Sequence, residues 1–227
     1  MDEWNNYDEE TNLMDWIPWF TNLEGHEFLV QVDELYIRDN FNMCGLKTIE
    51  HYDEAMDMIL GSAPSEEVFL DDKFLHIYRS ATDLYGLIHS RYIVSPKGLQ
   101  LMKDKYLQGV FGQCPRLKCD RQNLLPVGFS DYLHNHRVKA YCPRCQEAYI
   151  IKSGEINADL DGAFFGRSFP HIFLLNFTYL IPNEPPTPYV AKIFGFKVRD
   201  INSLIQIKLD NGEFGDNVSS KVKRIAY

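Results

Sequence analysis

Through the first 109 residues the apolar positions recur at steps of three and four, the period of a helix buried along one side. In DELYIRDNF this spacing predicts a helix capped by Asp33, because a short carboxylate can accept an amide of the first turn. HYDEAMDMILGS places Ala55, Met58, Ile59 and Leu60 on an apolar side and meets a stop signal at Gly61. A longer helix is expected from near Asp72 through LYGLIHSRYIV, with Leu75, Tyr78, Thr82, Tyr85 and Ile88 or His89 near one face. Ser95-Pro96 begins another: serine is a favoured cap, and proline in the first turn gives up only an amide that had no partner. That helix, PKGLQLMKDKYLQG, stops at Gly109.

The pattern then changes period. VFGQCPRLKC is rich in turn formers, and VKAYCPRCQEAYIIK alternates with β-branched and aromatic residues, which predicts strand, turn, strand. GAFFGRSFPHIFLLNFTYLIP is expected to form a strand and a buried segment leading from it. NEPPTPYV predicts a stiff, extended linker, and AKIFGFKV after it a strand or hairpin with exposed apolar residues. The basic end, SSKVKRIAY, is expected to fray. The expected class is α+β: an acidic helical domain at 1–109, a β domain at 110–182, and a linker with a C-terminal tail at 183–227.

Composition adds a charge split. Residues 1–110 hold 8 Lys+Arg against 21 Asp+Glu, a balance of −13; residues 111–227 hold 15 against 11, or +4, which together give the −9 of the whole chain. Such a sign change suggests two units with different partners. No segment approaches the roughly 20 apolar residues that cross a bilayer, so no membrane partner is expected. The acidic start, MDEWNNYDEE, is the opposite of a signal peptide, so an intracellular soluble chain is expected.

Four of the five cysteines come in two short steps: Cys114 and Cys119, then Cys142 and Cys145. A two-residue gap lets a tight turn aim both sulfurs at one metal; the four-residue gap needs a wider loop. The 22 residues between the pairs leave room for a β excursion, as in a zinc ribbon. Cys142-Pro-Arg-Cys145 alone could be a redox pair, and two disulfides are an alternative, but a reducing compartment disfavours the second and the first leaves Cys114 and Cys119 without a task. The expectation is one structural Zn2+ per chain, closed to water and substrate because four thiolates fill its tetrahedron. His134 and His136 lie within the gap, yet four thiols already complete the site. Cys44 and His171 are expected to pack in the core.

Catalytic signatures are lacking. There is no GxxxxGK[ST], GxGxxG, GxSxG, HRD or DFG. Two rivals follow from the ribbon. A nucleic-acid-binding ribbon would use Arg116, Lys118, Arg121, Arg137, Lys139 and Arg144, against the unfavourable overall charge. A zinc hydrolase would need an open coordination position.

The ordered stretches WIPWF, EFLVQVDELYIRDNFNMCGL, HYDEAMDMIL, LYGLIHSRYI, GVFGQCPRLKC, LLPVGFSD, VKAYCPRC, DGAFFGRSFPHIF and YVAKIFGFKV resemble the regulatory beta subunits of casein kinase II over nearly the whole chain. The resemblance implies a chain that is no enzyme and is both cytoplasmic and nuclear. It implies a homodimer paired through zinc ribbons near Phe111, Pro115, Leu117, Ala148 and Ile150, carrying two catalytic alpha subunits in an alpha2-beta2 tetramer. Phe194 and Phe196, with Lys192 and Lys197 beside them, would dock on the catalytic subunit; Phe194 departs from the tyrosine usual there. Glu66, Glu67, Asp71 and Asp72 match in position the family's acidic loop, which binds polyamines and basic protein substrates, but Val68, Phe69 and Leu70 interrupt them. The N-terminus lacks the serines the kinase phosphorylates in the family and has only Thr11, so weak or absent autophosphorylation is expected.

Overall fold

A computed structural model describes residues 14–152 and 157–197. The expectations about Thr11 and about the basic end fall outside these residues.

Six helices and five short strands are described. The helices are α1 (Trp16–Thr21), α2 (Glu34–Ile37), α3 (Tyr52–Ile59), α4 (Asp72–Tyr92), α5 (Pro96–Gln108) and α6 (Phe169–Asn176). The strands are β1 (Leu125–Val127), β2 (Lys139–Tyr141), β3 (Ala148–Ile150), β4 (Lys192–Ile193) and β5 (Phe196–Lys197). The chain divides into two compact units, Met1–Pro186 and Thr187–Tyr227.

In the first unit α4 is the axis. The Asp71 side chain caps it by accepting from the Lys73 amide at 3.0 Å. Its buried residues, Ala81, Leu84, Tyr85, Gly86, Ile88, His89 and Tyr92, cover more than one stripe, so neighbours pack on several sides. Trp16 stacks on Phe20 at 4.4 Å, and both rings meet Tyr85 edge-on. On another side Gly86 admits the Phe164 ring: a Cβ there would lie 2.0 Å from a ring carbon. Ser95 caps α5 with Pro96 in the first turn, and Gly109 ends it in the left-handed conformation at φ 74°, as the sequence predicts.

Strands β1, β2 and β3 form an antiparallel sheet in that order, with Ala140 opposite both Pro126 and Tyr149. The sheet is not a body apart. Phe111, Leu125, Val138, Leu160, Phe164, Phe165, Phe169 and Phe173 belong to the same hydrophobic core as Trp16, Leu84 and Ile88. The boundary expected at residue 109 is therefore a turn inside one packed unit. A second, smaller cluster gathers Cys114, Cys119, Leu124, Ala140 and Cys142.

Three readings are corrected. GAFFGRSFPHIFLLNFTYLIP contains no strand: Gly162–Phe164 and Thr178–Leu180 are 3-10 turns, and FPHIFLLN is α6. A continuous apolar run cannot separate strand from helix by period, and Pro170 in the first turn of α6 favours the helix. Cys44 is exposed rather than packed. His171 is exposed too, resting its ring 5.8 Å from that of Tyr141. The buried histidine is His89, with no exposed surface.

In the second unit β4 and β5 form a two-residue hairpin, with Ile193 opposite Phe196 and Lys192 opposite Lys197. Phe194 and Gly195 at its tip have φ of 50° and 87°. Two successive positive values suit the right-handed twist of a tight hairpin.

Candidate metal centre and exposed faces

Each cysteine pair is presented by a small turn. The first lies beyond the antiparallel bridge of Gln113 with Asn123; there the Cys114 amide donates to Gln122 O at 2.8 Å, and the Gln122 amide to Cys119 O at 3.1 Å. Lys118, Asp120 and Arg121 all have positive φ. Left-handed backbone costs a non-glycine residue about 1–2 kcal/mol, so this loop needs something to hold it. The second pair occupies the turn between β2 and β3, closed by the Cys142 amide donating to Glu147 O at 3.0 Å and the Gln146 amide to Cys142 O at 2.9 Å.

The sheet brings the two turns together. All four sulfurs lie within 4.8 Å of one another, with Cys114 to Cys145 at 3.8 Å and Cys119 to Cys142 at 3.6 Å. A tetrahedron of sulfurs at the zinc distance of about 2.3 Å has edges of about 3.8 Å, so the donors fit zinc in kind and spacing. Among the described residues this is the only group of three or more His, Cys, Asp or Glu side chains so placed. Cys114, Cys119 and Cys142 are buried and Cys145 is partly exposed. Burial pushes the Cys119 thiol up to about 11. Burial acts the same way on Cys145, but hydrogen bonds from the Tyr149 hydroxyl and the Glu147 amide outweigh it and bring that thiol to about 7. A metal entering here displaces protons from the thiols.

His134 and His136 are not part of this group. His134 Nε2 lies 3.0 Å from Asp83 Oδ2, and its backbone amide donates to Asp161, so it links the loop before β2 to α4. The basic residues around the ribbon are partly committed as well. Arg137 pairs with Asp159 at 3.0 Å, Arg144 with Asp120 at 2.6 Å, and the Lys139 ammonium sits 3.8 Å from the centre of the Phe129 ring. That leaves less free positive charge for a phosphate backbone.

Of the residues expected near a dimer seam, Pro115, Leu117, Ala148 and Ile150 are exposed, Leu117 by 66% and Ile150 by 79%. Phe111 is not a surface residue. Its ring stands edge-on to Phe28 at 5.2 Å in the core. It floors a groove of about 510 Å³ whose lining includes Pro115, Tyr149 and Ile150. In the second unit Phe194, Phe196, Lys192 and Lys197 are all exposed, Phe194 by 96%.

The acidic residues are placed by their apolar interruption. Phe69 packs against Trp19, Phe74 and Tyr78, which anchors the turn Glu66–Leu70. Glu66 and Glu67 are exposed on one side of that anchor, Asp71 and Asp72 on the other.

A helical unit sharing its core with a four-cysteine ribbon, followed by an aromatic hairpin, matches in order a family model described as casein kinase II regulatory subunit, over residues 15–197. The chain belongs to that family. Casein kinase II subunit beta of Dictyostelium discoideum is 45% identical over 196 residues, 84% of this chain and 72% of the relative. The Schizosaccharomyces pombe protein of the same name is 43% identical, across 83% of this chain and 80% of its own length. The Suppressor-of-stellate-like protein of Drosophila melanogaster is 42% identical, across 81% and 78%. The matched range takes in both the shared core and the hairpin of this casein kinase II regulatory subunit.

The tie made by His89 is not marked in the sequence. Its two ring nitrogens tie Val30 to Phe164, yet in the helical pattern it stands only as an alternative to Ile88. No local signal marks it, because its partners lie 59 and 75 residues away.

Proposed function

We propose that this chain is a non-catalytic scaffold of a casein kinase II holoenzyme. One zinc ion held by Cys114, Cys119, Cys142 and Cys145 fixes the ribbon. Two ribbons pair through the faces that carry Pro115, Leu117, Ala148 and Ile150. Each hairpin then sets Phe194 and Phe196 into an apolar groove of a catalytic subunit, with Lys192 and Lys197 at the polar rim. Two catalytic and two regulatory chains result, acting in cytoplasm and nucleus. The hairpin raises kinase activity by stabilising the active conformation. Glu66, Glu67, Asp71 and Asp72 attract polyamines and basic substrates, weakly, because Phe69 splits them into two pairs.

The observation that carries this reading is the hairpin itself. Ile193, Phe194 and Phe196 are exposed by 60%, 96% and 79%, and aromatic surface of that kind marks a binding site. Co-purification of the full chain with its catalytic subunit, with metal content and mass measured on the same sample, tests it. The expected mass is that of two chains of each kind with one zinc per regulatory chain. Phe196→Ala should weaken kinase binding and leave the regulatory dimer intact. Equal kinase affinity in that variant overturns the docking role.

A further inference from the structure

Strand β3 alternates. Ala148 and Ile150 face outward, and Tyr149 between them turns to the other side, where it packs against the cysteine cluster. Its hydroxyl lies 3.1 Å from Cys145 Sγ. Of the four sulfurs this belongs to the one incompletely buried cysteine, the position where water or a competing chelator can reach. A zinc ion with four thiolates carries two excess negative charges, and a metal-bound thiolate still has lone pairs to accept a hydrogen bond. Groups that donate to metal ligands hold their orientation and draw off charge, and a donor to an ionised acceptor makes a bond about twice as strong as a neutral one.

We infer that Tyr149 is a positioning residue of the metal centre: its hydroxyl donates to the Cys145 thiolate and slows release of the metal at its most accessible ligand. This rests on the zinc reading above and adds which residue governs the lifetime of the bound ion. Tyr149 shares β3 with Ile150, so the strand that offers an apolar side chain outward also guards the metal.

The test uses Tyr149→Phe in the full chain, which keeps the ring in place and removes only the hydroxyl. With wild type and variant both loaded with one zinc, a colorimetric chelator in excess should strip the variant about tenfold faster, at the low end of what such outer partners contribute. In the cobalt-substituted proteins the sulfur-to-metal charge-transfer band should move to longer wavelength in the variant, because a thiolate without its hydrogen bond gives up an electron more easily. The band responds to the hydrogen bond and not to general loosening. Unchanged release and an unchanged band overturn the role of Tyr149 while the zinc reading stands. Folded wild-type protein that carries no zinc overturns both.

Discussion

His89 donates a hydrogen bond from Nδ1–H to the Phe164 carbonyl at 2.7 Å, across 75 residues of sequence. The Val30 amide donates to Nε2 of the same ring at 3.1 Å, which fixes the tautomer: Nδ1 carries the proton. One neutral side chain thus joins the segment before α2, the axis of the helical part, and the turn that follows the ribbon.

That arrangement makes stability depend on pH. Burial, the largest influence, drives the His89 pKa from 6.5 to about 4. The unfolded chain therefore binds the proton more readily, so stability is full above about pH 6.5 and falls as pH drops toward 4. The loss attributable to this group approaches about 3 kcal/mol, at about 1.36 kcal/mol per pKa unit. Denaturant melts at pH 7 and pH 4.5 should show it, and a His89→Gln protein should show a smaller difference between the two.

Truncating the same side chain tests the tie directly. His89→Ala leaves the Val30 amide and the Phe164 carbonyl unpartnered in the core and opens a cavity. The expected cost is about 3–5 kcal/mol, read from the urea midpoint.

Gly86 should tolerate no side chain. A Cβ would overlap the Phe164 ring at 2.0 Å, and the ring is hemmed in by the core. Gly86→Ala should cost about 1–3 kcal/mol, the range for overpacking. A helix propensity gain of about 1 kcal/mol works against that cost. Net stabilisation in a thermal melt would show that the ring has room to move.

Replacing one thiolate should unfold the ribbon. Cys142→Ser is expected to lose the metal and, with it, much of the roughly 10–16 kcal/mol that such sites contribute to folding. Metal analysis and near-ultraviolet circular dichroism would read both losses. In the wild type, chelators should strip the ion more easily as pH falls, because protons compete for the sulfurs.

Arg144 should act on the chain where it leaves the first unit. Its Nε donates to the Glu184 carbonyl at 3.2 Å while its other end pairs with Asp120. Arg144→Ala should speed proteolysis near Glu184 with metal content unchanged.

The legible parts of this molecule are those whose cause is local. Ser95-Pro96 and Gly109 delimit α5 by capping chemistry alone, and Asp72 marks the start of α4. The cysteine spacing announces a metal site because one tight turn and one wider loop, both short, suffice to build it. What stayed hidden depends on partners distant in sequence. The helix α6 hides in an apolar run without a period. Phe111, which the resemblance sets near a dimer seam, is buried against Phe28, a partner far away in sequence. Cys44 and His171 are expected in the core, yet Cys44 is exposed and His171 touches the Tyr141 ring from the surface.

The Phe28 amide donates to the Asn157 side chain at 3.1 Å over a separation of 129 residues. A chain emerging from a ribosome delivers α1 and the Phe28–Val32 segment long before the residues that complete their bonds. Long-range contacts of this kind close late and slow folding. The helical half must therefore wait, with Phe28 lacking its partners Phe111, Phe165 and Asn157, until the ribbon has been made. A shortage of the metal proposed for the ribbon would then leave the earlier half unfinished too.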